Sequence, residues 1–269
     1  MLRNCQLGFI GSGRMAEAMI SGLLKRELIV ASQIIASGPR AERGAELKRK
    51  YGITVSQDNA STMNTDLLTL AVKPQTMPKV LSELQGKVRP DTCVLSIAAG
   101  IPVRRVIEGL HTAAVARAMP NTPGRINQGV TVWTATSEVS ADQRTQIAAL
   151  LEALGVEVFV EEERYLDMAT ALSGSGPAYV FLFMEALVDA GVRMGLPRYL
   201  AEQLVAETLS GSAAYAKATG EHLARLRNDV TSPAGTSAEA LYQLDESGFR
   251  TAIARAVHAA YRRSIELGS

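Results

Sequence analysis

The segment Gly11-Ser12-Gly13-Arg14-Met15-Ala16 constrains the fold of this chain more than any other. It follows an apolar run, Gln6–Ile10, that reads as a strand, and it opens a pattern with helical spacing from Met15 to Lys25. In that context it is a G-x-G-x-x-A turn. The first glycine permits the tight turn, the second lets backbone approach a pyrophosphate, and the small third residue lets the helix lie close to the strand. The helix start then offers unpaired N–H groups and a positive dipole end to phosphates. An apolar run that breaks so soon into a glycine turn does not read as a secretory signal.

Downstream, short apolar runs alternate with helical patterns. Strands are predicted over Gln33–Ala36, Leu67–Val72, Thr92–Ile97, Ala114–Ala118, Gly129–Ala135 and Val156–Val160. Helices are predicted over Arg40–Tyr51, Met77–Leu84, Val103–Leu110 and Ala141–Leu154. This alternation implies an α/β class, a doubly wound parallel sheet covered on both faces. Residues 1–162 are expected to form this Rossmann-type domain, and 163–269, where strand signals stop after Glu161-Glu162-Glu163, an all-helical one.

Gly174, Gly176 and Pro177 read as a helix stop followed by a helix that proline initiates, and they interrupt the apolar stretch Met168–Met184 too much for a membrane span. The helix from Pro177 carries Glu185, Asp189 and Arg193 on one narrow stripe and is apolar nearly all round. Such a helix needs neighbours on most sides. A helix-exchanging dimer and the centre of a monomeric bundle both satisfy that pattern.

Composition narrows the function. The 269 residues are 47% hydrophobic and 20% charged, enough for a packed core, and 28 Lys+Arg against 27 Asp+Glu leave no broad basic field for nucleic acid or an anionic membrane. Cys5 and Cys93 cannot build a disulfide framework or a thiolate zinc site and read as buried hydrophobes in a reducing, cytoplasmic compartment.

The end of the second strand discriminates between cofactors. An NAD site places a carboxylate there to accept hydrogen bonds from the ribose hydroxyls. This chain has Ser37-Gly38-Pro39-Arg40, then Arg43. Ser37 can donate to a 2′-phosphate, Arg40 or Arg43 can supply charge, and NADPH is favoured over NADH.

Five segments then point one way: Ala71-Val72-Lys73-Pro74-Gln75, Ser96-Ile97-Ala98-Ala99-Gly100, Met119-Pro120-Asn121-Thr122-Pro123, the SGSGPAY stretch Ser173–Tyr179, and Asp229–Ser237. Together they closely resemble the pyrroline-5-carboxylate reductases. The resemblance implies a Rossmann domain, a helical dimerisation domain, and reduction of 1-pyrroline-5-carboxylate to L-proline by NAD(P)H, the last step of proline biosynthesis. It implies that Ile10, Gly11, Ser12, Gly13, Arg14 and Met15 hold the pyrophosphate. Ser37, Gly38, Arg40 and Asn59 would face the adenosine ribose or its phosphate. Ala71, Val72, Lys73 and Pro74, with Ala98, Ala99 and Gly100, would hold the nicotinamide half.

For the substrate, the resemblance gives Ser232, Gly235 and Thr236 the carboxylate and the catalytic Ser237 the ring nitrogen. Glu163 and Asp229 match further substrate-side positions. Three departures stand out: Ser237 where relatives usually carry Thr, Asp229 where some carry Asn, and Leu223 in place of a proline. Thr236-Ser237-Ala238-Glu239 also spells a capping box, with Thr236 as N-cap.

The chemistry suits these residues. The three histidines, His111, His222 and His258, lie outside the matched motifs, and no cluster has metal-ligand spacing. Carbonyl reduction needs a proton donor or a metal for the forming alkoxide, whereas a cyclic imine can enter already protonated and needs orientation and desolvation. Reduction of a related six-membered imine is the nearest rival, because one methylene changes discrimination by only ~1–3 kcal/mol. A non-catalytic NADPH-sensing protein is the other.

Overall fold

The computed structural model describes Leu2 and residues 5–268. In chain order the elements are β1 (Leu7–Ile10), α1 (Arg14–Lys25), β2 (Ile34–Ser37), α2 (Ala41–Tyr51), β3 (Thr54–Ser56), β4 (Leu67–Leu70), α3 (Met77–Leu84), β5 (Cys93–Ser96), α4 (Val103–Leu110), β6 (Val115–Pro120), β7 (Gly129–Ala135), α5 (Ala141–Glu152) and β8 (Gly155–Phe159). Helices follow: α6 (Arg164–Ala169), α7 (Gly176–Arg193), α8 (Arg198–Thr219), α9 (Leu223–Asp229), α10 (Thr236–Glu246) and α11 (Phe249–Gly268).

The strands form one sheet in the order β3-β2-β1-β4-β5-β6-β7-β8. β1 is the centre of winding: Leu7 pairs in parallel with Ile34 on one side and Leu67 on the other. Its alternate residues serve opposite faces, as strand geometry requires. Leu7 and Phe9 enter the core shared with Met19, Ile20 and Leu23 of α1, and Ile10 the one shared with Met77 of α3 and Val106 of α4. Ala16, the small residue of the glycine turn, is wholly buried between α1 and the sheet.

Two features of the sheet depart from the sequence expectation. β3 was not anticipated, because Thr54-Val55-Ser56 is a three-residue edge strand with no apolar signal. β6 and β7 pair antiparallel, with Ala118 opposite Trp133, within a sheet otherwise parallel. Only the 3-10 turn Thr122–Ile126 lies between them, and a parallel return needs a crossover of a dozen or more residues.

The SGSGPAY stretch is a third departure. It does not stop the helix. α6 passes through a π-helical turn, Thr170–Gly174, in which the Ser175 N–H donates to the Thr170 carbonyl at 2.8 Å, and the helical run extends from Arg164 to Arg193. Proline at 177 cannot donate to the carbonyl four residues back, that of Ser173. The Asn121 side-chain amide donates to that carbonyl at 3.2 Å. By length and composition alone this 30-residue run is long and apolar enough to cross a membrane, contrary to the expectation of an interrupted stretch.

The described chain divides into two compact units, residues up to Ser175 with those from Ala260 onward, and Gly176–Ala259. Residues 164–175 thus belong with the sheet. In the second unit α7 and α8 approach closely at Gly191, where a Cβ would lie 3.2 Å from that of Ala201. Phe183 meets Phe249 with ring centroids 6.1 Å apart. Val180, Phe181, Leu182 and Leu187 of α7 are nevertheless exposed within a single copy.

Candidate active site

The strand order reverses beside β1, and the loops leaving β1, β4 and β5 emerge there at the carboxyl ends of the strands. This is the crevice where open α/β sheets bind ligands. Three bonds lace it together: the Gly11 N–H donates to the Ser37 carbonyl at 2.9 Å, that of Ala71 to Ile10 at 2.8 Å, and that of Ile97 to Leu70 at 3.1 Å.

The two glycines of the turn do different work. Gly11 has φ +101°, and a Cβ there would lie 2.6 Å from the Ala71 carbonyl oxygen, so the fold itself demands glycine. Gly13 is the N-cap of α1, makes no side-chain cap bond, and faces open space, with nothing within 4 Å of a built Cβ. The first-turn N–H groups of α1 are therefore free to meet an anion. Ser12 is buried, Arg14 is exposed, and Met15 packs partly against the core below.

Beside the turn a groove of about 190 Å³ is lined by Gly11, Gly38, Asn59, Val72, Lys79 and Glu83. Ser37 does not present its hydroxyl to this groove. It is wholly buried and donates to Asn59 Oδ1 at 2.8 Å, while the Asn59 amide donates to Glu83 Oε2 at 3.1 Å. In this structure the Ser37 hydroxyl, expected to donate to a 2′-phosphate, is bonded to Asn59. Arg43 is also committed elsewhere. Its Nε donates to the Ser12 carbonyl at 3.0 Å, and its other nitrogens pair with Glu17 and Glu46. Arg40 and Lys48 border an adjoining hollow, and neither has an ion-pair partner among the described residues.

Glu17, on α1, binds α2 through Arg43, Lys50 and Tyr51. Burial pushes its carboxyl up, but the three donors outweigh this and hold it at about 2. This clamp carries the glycine turn on its back. The open space at Gly13, the uncapped helix start and the unpaired Arg40 fit a phosphorylated dinucleotide.

The two loops expected to flank the nicotinamide follow strands of the sheet, Ala71–Pro74 after β4 and Ala98–Gly100 after β5. Gly100 has φ +71°, and a Cβ there would stand 2.8 Å from the Leu267 Cβ, so the end of α11 rests against this loop. Glu163 is spent on structure: its Oε1 accepts from the Val103 N–H and from Arg117 Nη1, both at 2.8 Å. These bonds give Glu163 a structural role beside the substrate contact expected of it. Its acidic neighbours hid a partner that only the fold supplies.

In the second unit, Ser232–Gly235 form a turn, closed by the Gly235 N–H donating to the Ser232 carbonyl at 3.0 Å. Ala234 takes φ +57° within it. Gly235 is the N-cap of α10 and makes no side-chain cap bond. The expected capping box does not form, because Thr236 is already the first helical residue and Glu239 accepts from Gln243 instead. The N–H groups of Thr236 and Ser237 are left to an external anion, which favours carboxylate binding more than the box would have. Asp229 ends α9 exposed, and His222 caps that helix with its Nδ1 accepting from the Ala224 N–H at 3.2 Å.

Comparison with known proteins now adds to this geometry. Residues 163–267 match the pyrroline-5-carboxylate reductase dimerisation family, and 6–100 match coenzyme F420-dependent NADP oxidoreductases. The chain is 44% identical over 265 residues to the pyrroline-5-carboxylate reductase of Synechocystis, covering 98% of each chain. It is 36% identical to that of Escherichia coli, covering 97% of this chain and 98% of the relative. The solved pyrroline-5-carboxylate reductase of Coxiella burnetii matches with TM-score 0.91 at 34% identity, over 99% of this chain and 100% of the other. That of Plasmodium falciparum, solved with NADP bound, matches with TM-score 0.90 at 29% identity, over 99% of each.

This chain belongs to the pyrroline-5-carboxylate reductase family.

It is an NAD(P)H-dependent oxidoreductase and a homo-oligomer. The family resemblance stated from the motifs alone agrees with these matches. What reading this reductase as a sequence missed is Arg117, a buried cation in the middle of β6 that holds Glu163 and Asp167 at 2.8 and 2.9 Å. A lone arginine in an apolar strand, Val115-Ala116-Arg117-Ala118, was its only signal.

Proposed function

We propose that this reductase converts 1-pyrroline-5-carboxylate to L-proline, prefers NADPH to NADH, and works in the cytoplasm as a homodimer or an assembly of dimers. Residues 163–269 carry its substrate and dimerisation functions in this reading, although 164–175 and the residues from Ala260 onward pack with the sheet. The observation that carries it is the uncapped start of α1 behind an open Gly13, placed at the switch point of the sheet, in a chain that matches reductases end to end.

Ile10 through Met15 would hold the pyrophosphate by backbone, since Ile10 is core and Gly13 leaves room. Arg40 would face the 2′-phosphate. Gly38 packs its backbone against Ser12, and Asn59 lines the ribose end of the groove. Ala71–Pro74 and Ala98–Gly100 would flank the nicotinamide. When bound, NADPH supplies the hydride. The α10 start, through Ser232, Gly235 and Thr236, would hold the substrate carboxylate by N–H and hydroxyl donation, and Ser237 would orient the ring nitrogen. Imine reduction asks no more of these residues than orientation and the exclusion of water. Asp229, three residues before Ser232 in the chain, would bear on the charge the substrate meets there.

The test is NADPH oxidation with 1-pyrroline-5-carboxylate, repeated with NADH and with a six-membered cyclic imine. Fast turnover of the five-membered ring with NADPH is expected. Preference for the larger ring would shift the substrate assignment, and NADPH binding with no turnover of either would make the protein a sensor.

A further inference from the structure

The residues that ring Arg117 do more than fill the sheet. Arg117 is almost wholly buried, and its guanidinium forks between two carboxylates that lead to different elements. Through Nη1 it holds Glu163 Oε1, and the same oxygen accepts the N–H of Val103, the first residue of α4. Through Nη2 it holds Asp167 Oδ1, which also accepts from the Ser264 hydroxyl of α11 at 2.9 Å. The loop between Ser96 and Val103 is therefore fixed at its far end by Glu163, and Gly100 within it is backed by Leu267. One cation on β6 thus orients two carboxylates of the α6 segment, which in turn hold the start of α4 and the end of α11.

The geometry points to Arg117 as a positioning residue for the Ala98–Gly100 loop, acting through Glu163 on the Val103 N–H. This rests on the reading of that loop as part of the nicotinamide site. A carboxylate at the α4 start fits the positive end of the helix, and a buried arginine keeps that carboxylate oriented. Without the arginine, Glu163 and Asp167 would repel one another and turn outward to water, and the loop would lose its anchor. A lysine cannot replace it fully, since it lacks the fork that reaches two carboxylates at fixed angles.

The test compares Arg117→Met, Glu163→Ala and Glu163→Gln with the wild-type protein. In the ligand-free proteins, amide hydrogen exchange over residues 98–103 should rise about tenfold or more in Arg117→Met and Glu163→Ala. Glu163→Gln, which keeps an acceptor for Val103, should stay near wild type. With substrates saturating, kcat should fall about tenfold or more in the first two, since a small misplacement of a reacting group costs on the order of a hundredfold. The affinity for NADPH should hold within about twofold, because Arg117 does not touch the pyrophosphate turn. The primary isotope effect with C4-deuterated NADPH should rise as hydride transfer becomes the slow step.

A lower melting temperature with unchanged exchange and kcat would overturn the proposal and leave Arg117 purely structural. So would loss of NADPH affinity in parallel with kcat, or an isotope effect that stays near unity. If Arg117→Met does not fold, the Glu163 pair decides alone by the same readings. A wild-type protein that binds NADPH and reduces no imine overturns the function itself, which the wild-type control separates from failure of the variants.

Discussion

At the scale of single residues, the two glycines of the first turn make opposite predictions that the motif alone does not distinguish. Gly13→Val should leave the melting temperature nearly unchanged, because its side chain enters open space, yet abolish NADPH binding by filling the approach to α1. Gly11→Ala should destabilise the fold by ~2 kcal/mol or more, from a positive φ and a close carbonyl. Calorimetry and fluorescence titration together check both. Ser237→Ala should lower kcat about tenfold with NADPH affinity held within about twofold; turnover equal to wild type would remove the hydroxyl from the reaction. The sequence singled out these residues because glycine turns and hydroxyls have local signatures. It did not foresee the bonds that the fold gives Ser37, Arg43 and Glu163, whose partners lie far along the chain.

Elements bring in bonds between segments far apart in the chain. Asn121 joins three of them: its amide donates to Ser173 in the π-helical turn, and its Oδ1 accepts from the Val130 N–H at 3.0 Å. Asn121→Ala should therefore cost about 1 kcal/mol, read as a lower denaturant midpoint, because two half-buried backbone groups lose their partners. The clamp between α1 and α2 gives a pH signature. Glu17 is held at about 2 against an ordinary 4.5, so its contribution is complete above about pH 4.5 and is lost as the pH falls toward 2. The difference in melting temperature between wild type and Glu17→Gln should accordingly narrow on acidification over that range, and a constant difference would refute the clamp. Helix and strand positions were legible from periodicity wherever one face was apolar. The edge strand β3 lacked that signal, and the continuation through Gly174–Pro177 was hidden because the residues that repair the break lie on another element.

For the whole molecule, the exposed apolar face of α7 is the feature a single copy cannot explain. Phe181 and Leu182 are 58% and 67% exposed, on a helix whose polar stripe is narrow. A second copy, expected for a member of a family named for its dimerisation, would cover it. Phe181→Asp should lower the mass measured by light scattering toward that of one chain, because a carboxylate buried at an interface without a partner costs several kcal/mol. An unchanged mass would place the interface on other helices. The sequence by itself determined the α/β alternation, the glycine turn at the switch point, the helical second half and the family, because each is written in local patterns of a few residues. Only the tertiary structure decided which polar groups remain free for ligands. Hydrogen bonding is settled by partners that folding brings together from distant positions, as Arg117 with Glu163 and Asp167, and no local pattern contains them.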